Sequence, residues 1–253
     1  MHHEKYEEVL TLVTHNIPTM LVGEAGSGKT TIAQHVAQGL NLEFFSLSMT
    51  RQTTLSILLG YRSVDGTYIP TELRRAVDNG GLYLLDEIDA SDPNVLLALN
   101  TLENGYLTFP DGIVKTHPDF RLMATANPQN EHHHYTGRTK LDAATLDRFD
   151  IIDINRDHNL EATMVDFQTL QHIETLRKVL KDANSDITVS MRDSLRYQAR
   201  KDLDLLGGFV LKILQQNEFL YEHYETAIAN LPKFVSQQEC KTFADLLTLI
   251  KHQ

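Results

Sequence analysis

Apolar residues fall along this 253-residue chain in two alternating rhythms, short compact runs and longer stretches at helical spacing. The short runs are Thr19–Val22, Glu43–Leu47, Leu82–Leu85, Phe120–Ala124 and Phe149–Ile154, and each reads as a strand. Residues 4–15 place Val9, Leu10, Leu12 and Val13 among charged neighbours, the pattern of a short amphipathic helix. A second helix is expected over Thr30–Gln38. A third starts at Asp92, takes Pro93 in its first turn, buries Val95, Leu96, Leu99 and Leu102, and stops before Gly105. Two hairpins interrupt the alternation. Tyr61–Ile69 is expected to pivot on a two-residue Asp65-Gly66 turn, and Tyr106–Lys115 to turn at Pro110-Asp111-Gly112.

Strands alternating with helices imply a mostly parallel sheet covered on both faces, with ligands at the carboxyl ends of its strands. After about residue 156 the strand signal fades and the chain reads as helical. Leu203, Leu205, Leu206, Phe209, Val210 and Ile213 are its expected core. The reading is an α/β domain over residues 1–155, with a five-stranded parallel sheet in an αβα sandwich and two inserted hairpins. A smaller all-helical domain over 156–253 follows.

Composition narrows the class. A 42% hydrophobic content is that of a chain with a real core, and a formal net charge of −11 argues against a broadly basic surface that coats nucleic acid. A local basic pore stays open. Cys240 is the only cysteine, so no intrachain disulfide and no thiolate metal site can form. No apolar run approaches the ~18 residues of a membrane span, and the first residues lack the apolar core of a signal peptide. A cytoplasmic protein, away from membranes, is expected.

The chemistry concentrates in Gly23-Glu24-Ala25-Gly26-Ser27-Gly28-Lys29-Thr30, which fills the pattern G-x-x-x-x-G-K-[ST] between a strand and a helix. Glycines let backbone N–H groups close around a phosphate, and the following helix, which opens through Thr30 and Thr31, adds a favourable dipole. Lys29 is expected to neutralise phosphate oxygens and Thr30 to offer its hydroxyl to Mg²⁺. The alternative is a glycine-rich turn that binds nothing. A second strand runs into Asp86-Glu87: Asp86 suits Mg²⁺, and Glu87 suits the orientation or deprotonation of an attacking water. A third ends in Ala124-Thr125-Ala126-Asn127-Pro128, where Asn127 could reach both a γ-phosphate and that water. Arg148, in Leu146-Asp147-Arg148-Phe149, suits a transferring phosphoryl group through its planar fork and permanent charge, or else pairs with Asp147 or Asp150.

In this order the motifs resemble AAA+ ATPases, and more narrowly the MoxR and dynein-related branch that includes CobS-like chelatases and NorQ/CbbQ-like proteins. The resemblance covers about residues 10–205, and the two hairpins sit where that branch carries its helix-2 insert and pre-sensor-1 hairpin. Val189-Ser190-Met191-Arg192 is similar to the family's sensor-2 segment. The resemblance implies ATP and Mg²⁺ bound at Gly23, Gly26, Gly28, Lys29, Thr30 and Asp86, hydrolysis served by Glu87 and Asn127, and Arg192 reaching the γ-phosphate from a helical lid. Arg148 would act on the next subunit's ATP. That implies a homo-oligomer, in this family most often a hexameric ring, with the finger contributing on the order of 10³ to 10⁵ in turnover.

The same resemblance implies remodelling or activation of a partner protein, a separate von Willebrand A-domain protein being the candidate. Two other functions remain open. One is a nucleic-acid motor or loader using Lys115, Arg62 or the Arg196/Arg200 stripe. The other is an assembly module gated by nucleotide. Lesser signals are a zinc reading of Glu131-His132-His133-His134, and Arg138 and Lys140 as second-choice trans contacts. The hairpin aromatics Tyr61, Tyr68, Tyr106 and Phe109 either grip a substrate or anchor the hairpins.

Overall fold

The chain divides into two compact units, residues 2–155 and a second from residue 156 onward. In the computed structural model residues 1–128, 141, 143–201 and 206–230 are described. The histidine-rich stretch, Arg138, Lys140 and Cys240 lie outside them, as do Leu203 and Leu205.

The first unit opens with helix α1 (Tyr6–Thr14), strand β1 (Thr19–Val22), helix α2 (Lys29–Gly39) and strand β2 (Phe44–Ser48). Helix α3 (Leu55–Leu59), strands β3 (Tyr61–Arg62) and β4 (Tyr68–Ile69), helix α4 (Glu72–Asn79) and strand β5 (Gly81–Asp86) follow. Then come α5 (Pro93–Leu96), the pair β6 (Tyr106–Phe109) and β7 (Gly112–Lys115), β8 (Phe120–Ala126), α6 (Ala143–Leu146) and β9 (Asp150–Asp153). Five of the strands form one parallel sheet in the order β2-β5-β8-β1-β9, and β3-β4 and β6-β7 are separate antiparallel hairpins.

Successive side chains of a strand point to opposite faces, and the two cores follow that alternation. Met20, Tyr83, Leu85, Leu122 and Ala124 face a core shared with Leu58 of α3, Leu73 and Val77 of α4, and Val95 of α5. Leu21, Leu82, Leu84, Met123 and Ile152 face the other way, onto Val9 and Val13 of α1 and Ile32 and Val36 of α2. β5 is buried on both faces, which is why Leu82–Leu85 is apolar without interruption.

Two expectations need correction. The helix predicted from Asp92 to Gly105 is α-helical only over Pro93–Leu96 and winds as a 3-10 helix over Leu97–Asn104. Three residues per turn keeps Leu96, Leu99 and Leu102, spaced by three, on one stripe against the core. Asp92 does cap the start, accepting the Asn94 N–H at 2.9 Å, and Gly105 ends it in the left-handed region. The first hairpin has a three-residue loop. Ser63 N–H bonds Thr67 O at 2.8 Å, leaving Val64, Asp65 and left-handed Gly66 (φ 82°) outside the ladder.

The regular elements described in the second unit are all helices: α7 (His158–Met164), α8 (Phe167–Asp182), α9 (Met191–Lys201), α10 (Leu206–Ile213) and α11 (Glu218–Ala229). Ile173, Leu176, Leu180, Tyr197, Val210, Leu214, Leu220 and Tyr224 form its core, with Phe209 and Ile213 packed at the margin. The unit is also tied by polar groups. Asp157 caps α7 and Asp166 caps α8, each side chain accepting a first-turn N–H. Among the described residues no helix is long and apolar enough to cross a membrane.

Candidate active site

β1, β8 and β5 lie side by side, so their carboxyl ends converge. β1 leads into the loop Gly23–Gly28, which closes on the first residue of α2. Gly23 is packed so tightly that a Cβ there would stand 2.1 Å from Ile154 O. Gly26 and Gly28 take left-handed backbones (φ 79° and 95°), a geometry open to glycine at no steric cost, so the loop can curl its amides inward ahead of the helix. Ser27 is buried inside the curl, Glu24 and Gly26 are half-buried, and Ala25 and Thr31 are exposed.

Lys29 is buried, an unusual place for an ammonium. Its Nζ donates to Gly23 O at 2.6 Å, Glu24 O at 2.9 Å and Asn127 Oδ1 at 3.4 Å. A buried cation held among carbonyl oxygens at a helix N-terminus suits a phosphate ligand. Beside it, the Thr30 hydroxyl donates to both carboxylate oxygens of Asp86, at 3.3 and 3.2 Å. This hydroxyl–carboxylate pair is an all-oxygen donor set of the kind a hard divalent cation takes, so these residues fit Mg²⁺. Glu87 follows at the bend, half-buried, with φ 59° and ψ 46°. Asn127 is buried at the end of β8. Lys29–Asn127 and Thr30–Asp86 thus form two hydrogen-bonded pairs clustered at neighbouring strand ends, with Glu87 adjoining the second.

Sequence reasoning missed one member of the cluster, Thr125. Its hydroxyl donates to Asp86 Oδ1 at 2.5 Å and accepts the Glu87 N–H at 2.8 Å. The available signal was period two: Thr125 and Asn127 fall on the same face of β8.

Arg148 stands elsewhere. It is half-buried in the turn before β9, whose first residue, Asp150, pairs in register with Thr19 and donates its N–H to Pro18 O. That is the amino end of the sheet. The four residues of β1 separate it from the phosphate loop by about 13 Å at ~3.3 Å per residue. It lines a cavity of about 470 Å³ with Leu85, Leu99, Phe120 and Leu122. Arg192 belongs to the second unit, exposed on the first turn of α9. Ahead of it Ser190 donates N–H and Oγ–H to Asp193 Oδ2, which fixes where that helix begins.

The other sequence signals separate. Tyr61 and Tyr106 are exposed on their hairpins, whereas Phe109 is buried and Tyr68 donates its hydroxyl to Leu59 O at 2.7 Å. Arg196 pairs with Asp193, and Arg200 lies over the Phe209 ring, so the arginine stripe is partly spent within its own unit. In the second unit His158, Glu161 and Glu174 bring potential ligand atoms within 4.8 Å of one another. The Arg177 guanidinium donates to both carboxylates and Ser194 to Glu161, so this cluster is an ion-pair network.

Comparisons with known proteins point to a family. The family model of the AAA domain (dynein-related subfamily) matches residues 18–149, over half of the chain. The von Willebrand factor A domain-containing protein 8 of Mus musculus is 33% identical over 127 residues, covering 43% of this chain and 7% of that protein. The denitrification regulatory protein NirQ of Pseudomonas aeruginosa is 31% identical over 121 residues, 45% of this chain and 46% of that one. The chain therefore spans less than half the length of either relative. A crystal structure of NtrX from Brucella abortus shares the fold, with a TM-score of 0.50 at 16% identity, over 91% of this chain and 50% of that one. On the match of its first unit and the motifs that unit carries, the chain belongs to the dynein-related subfamily of AAA domains, within the AAA+ ATPases.

Proposed function

We propose that this chain hydrolyses ATP with Mg²⁺ as an oligomer whose copies share active sites, and that the cycle remodels a partner protein. The observation that carries the reading is the gathering of two hydrogen-bonded pairs, Lys29–Asn127 and Thr30–Asp86, at three adjacent strand ends. The loop amides and Lys29 bind the β- and γ-phosphates. Mg²⁺, held by Thr30 and Asp86, would neutralise charge on the phosphate oxygens. Glu87 orients a water that attacks the γ-phosphorus. The bond to the β-bridging oxygen breaks, ADP leaves, and the water's proton passes to Glu87 or to the released phosphate. Asn127 bonds the γ-phosphate, and Arg192 serves the same group from the lid.

The remoteness of Arg148 from its own phosphate loop supports an action in trans. A guanidinium at the amino end of the sheet serves chemistry at the carboxyl end only in a neighbouring copy. A ring, hexameric as in most of the family, is the assembly this implies. The mouse relative's name supports a von Willebrand A-domain protein as the partner class.

The test is ATP turnover against protein concentration for the wild type, Arg148→Ala and Glu87→Gln. Specific activity should rise with concentration, Arg148→Ala should bind ATP but lose about 10³-fold or more in turnover, and Glu87→Gln should bind without hydrolysing. Turnover independent of concentration together with a silent Arg148→Ala would sink the shared site. Undiminished hydrolysis by Glu87→Gln would sink the assignment of the base.

A further inference from the structure

We propose that Thr125 is a positioning residue for the hydrolytic pair, its one hydroxyl setting both the carboxylate of Asp86 and the backbone of Glu87. The inference rests on the ATPase reading above and adds to it a residue that touches neither phosphate nor water.

A threonine hydroxyl has one proton to give and lone pairs to accept with. Thr125 gives its proton to Asp86 Oδ1 at 2.5 Å and accepts the Glu87 N–H at 2.8 Å. It is fully buried, so water does not compete for either bond. Register explains how it arrives there: Leu85 of β5 pairs with Ala124 of β8, which brings Asp86 opposite Thr125.

The second bond matters because of what Glu87 does. It is a non-glycine residue in the left-handed region, a strained conformation that persists only where its surroundings impose it. Here the chain leaves β5 and enters the 3-10 turn Ile88–Ala90, with Ala90 N–H bonding Glu87 O at 2.9 Å. The Thr125 hydroxyl captures the amide at the start of that bend and so helps fix the direction in which the Glu87 side chain leaves the backbone. The first bond orients Asp86. With Thr30 donating to the same carboxylate, both of its oxygens are engaged by hydroxyls. The strand that presents Asn127 to Lys29 therefore also sets the neighbouring acidic pair.

The experiment compares wild type, Thr125→Val and Thr125→Ser by two readouts. One is steady-state turnover. The other is the affinity for a methylanthraniloyl derivative of ATP, titrated with and without Mg²⁺. Thr125→Val should bind the metal-free nucleotide within about twofold of wild type and keep its KM. Its kcat should fall about 10- to 100-fold and its Mg²⁺-dependent gain in affinity should shrink, as when a partner that orients a metal ligand is removed. Thr125→Ser, which keeps the hydroxyl, should recover both. If the valine variant does not fold, Thr125→Ala is read by the same criteria. Wild-type kcat and wild-type Mg²⁺ response in the hydroxyl-free variant would overturn the proposal. So would a serine variant as defective as valine, which would mean that shape rather than the hydroxyl matters. If wild type itself shows no turnover above Glu87→Gln, the ATPase reading fails, while the Mg²⁺ titration still decides whether Thr125 sets Asp86.

Discussion

Both units of this chain bury charge, but they satisfy it in different ways. In the helical unit Arg177 donates to Glu161 and Glu174, and Ser194 donates to Glu161, so opposite charges meet directly out of water. At the strand ends of the first unit, hydroxyls hold the Asp86 carboxylate, and the Lys29 ammonium donates to backbone carbonyls and the Asn127 amide. Neutral partners of that kind can be exchanged for a phosphate and a metal ion at little cost. A guanidinium locked between two carboxylates cannot. The difference separates a network that holds helices together from one arranged to accept a ligand.

Removing one member from each network tests this, and the largest effect is expected in the helical unit. Arg177→Ala takes from the buried Glu161 and Glu174 the guanidinium that bonds both, leaving Glu161 the more distant Arg156 at 3.8 Å, and should cost about 3 kcal/mol. Replacing all three together, as Glu161→Leu, Glu174→Leu and Arg177→Met, should recover most of that loss, since apolar residues need no partner. Asp86→Asn in the other network should abolish turnover while leaving denaturant stability unchanged or raised. If Asp86→Asn destabilised the chain as much as Arg177→Ala does, the distinction between the two networks would collapse.

The hairpins offer an intermediate case, a charge cluster at a surface. Arg74 bonds Asp78 at 2.8 Å and Asp111 at 2.7 Å, and its guanidinium lies 5.3 Å and 4.8 Å from the Tyr68 and Phe109 ring centres. Arg62 adds a bond from the first hairpin to Pro110 O in the turn of the second. Arg74→Ala should cost about 1–2 kcal/mol and lower hydrogen-exchange protection in both hairpins together. Arg74→Lys should not rescue it, because an ammonium cannot fork between two carboxylates and cover two rings. Loss of protection in one hairpin alone would show that they are not coupled through this residue.

The phosphate loop, Asp86-Glu87 and Asn127 were legible in the sequence because each motif is contiguous and its strand or helix context lies within a few residues. The sheet was legible for the same reason, as runs of apolar residues bounded by turns. Thr125 was not, because its role depends on the parallel register of β5 against β8, and register between strands is not written in either strand alone. Arg177, Glu161, Glu174 and Ser194 were equally invisible, since they come from three helices and meet only when those helices pack. The leucines at spacing three after Pro93 did carry the 3-10 winding, but the same residues also fit a helical face, and the capping residues did not distinguish the two.

The smallest expected effect is a pH response of the helical unit, and its sign follows from which protonation state burial favours. Burial, with Lys201 nearby, pushes the His172 imidazole below its ordinary value of 6.5. Burial, with Arg156 and Arg177, does the same at His158 against the opposing pull of Glu174 and Glu161. The folded state therefore holds these protons less well than the unfolded state. Their contribution to stability is complete above about pH 6.5 and is lost as pH falls below it. Asp166 answers in a lower window. Burial alone would raise its carboxyl, but Lys201, the Thr169 N–H and Gln198 outweigh that and hold it well below the ordinary carboxylate range, so its stabilisation persists until pH falls below about 4. Protection of α8 and α9 against hydrogen exchange should thus weaken in two steps on acidification. In His172→Gln, whose amide can keep the bond to Tyr197 without titrating, the upper step should shrink. If that variant loses protection along the same curve as the wild type, His172 is not the group that acid reaches first.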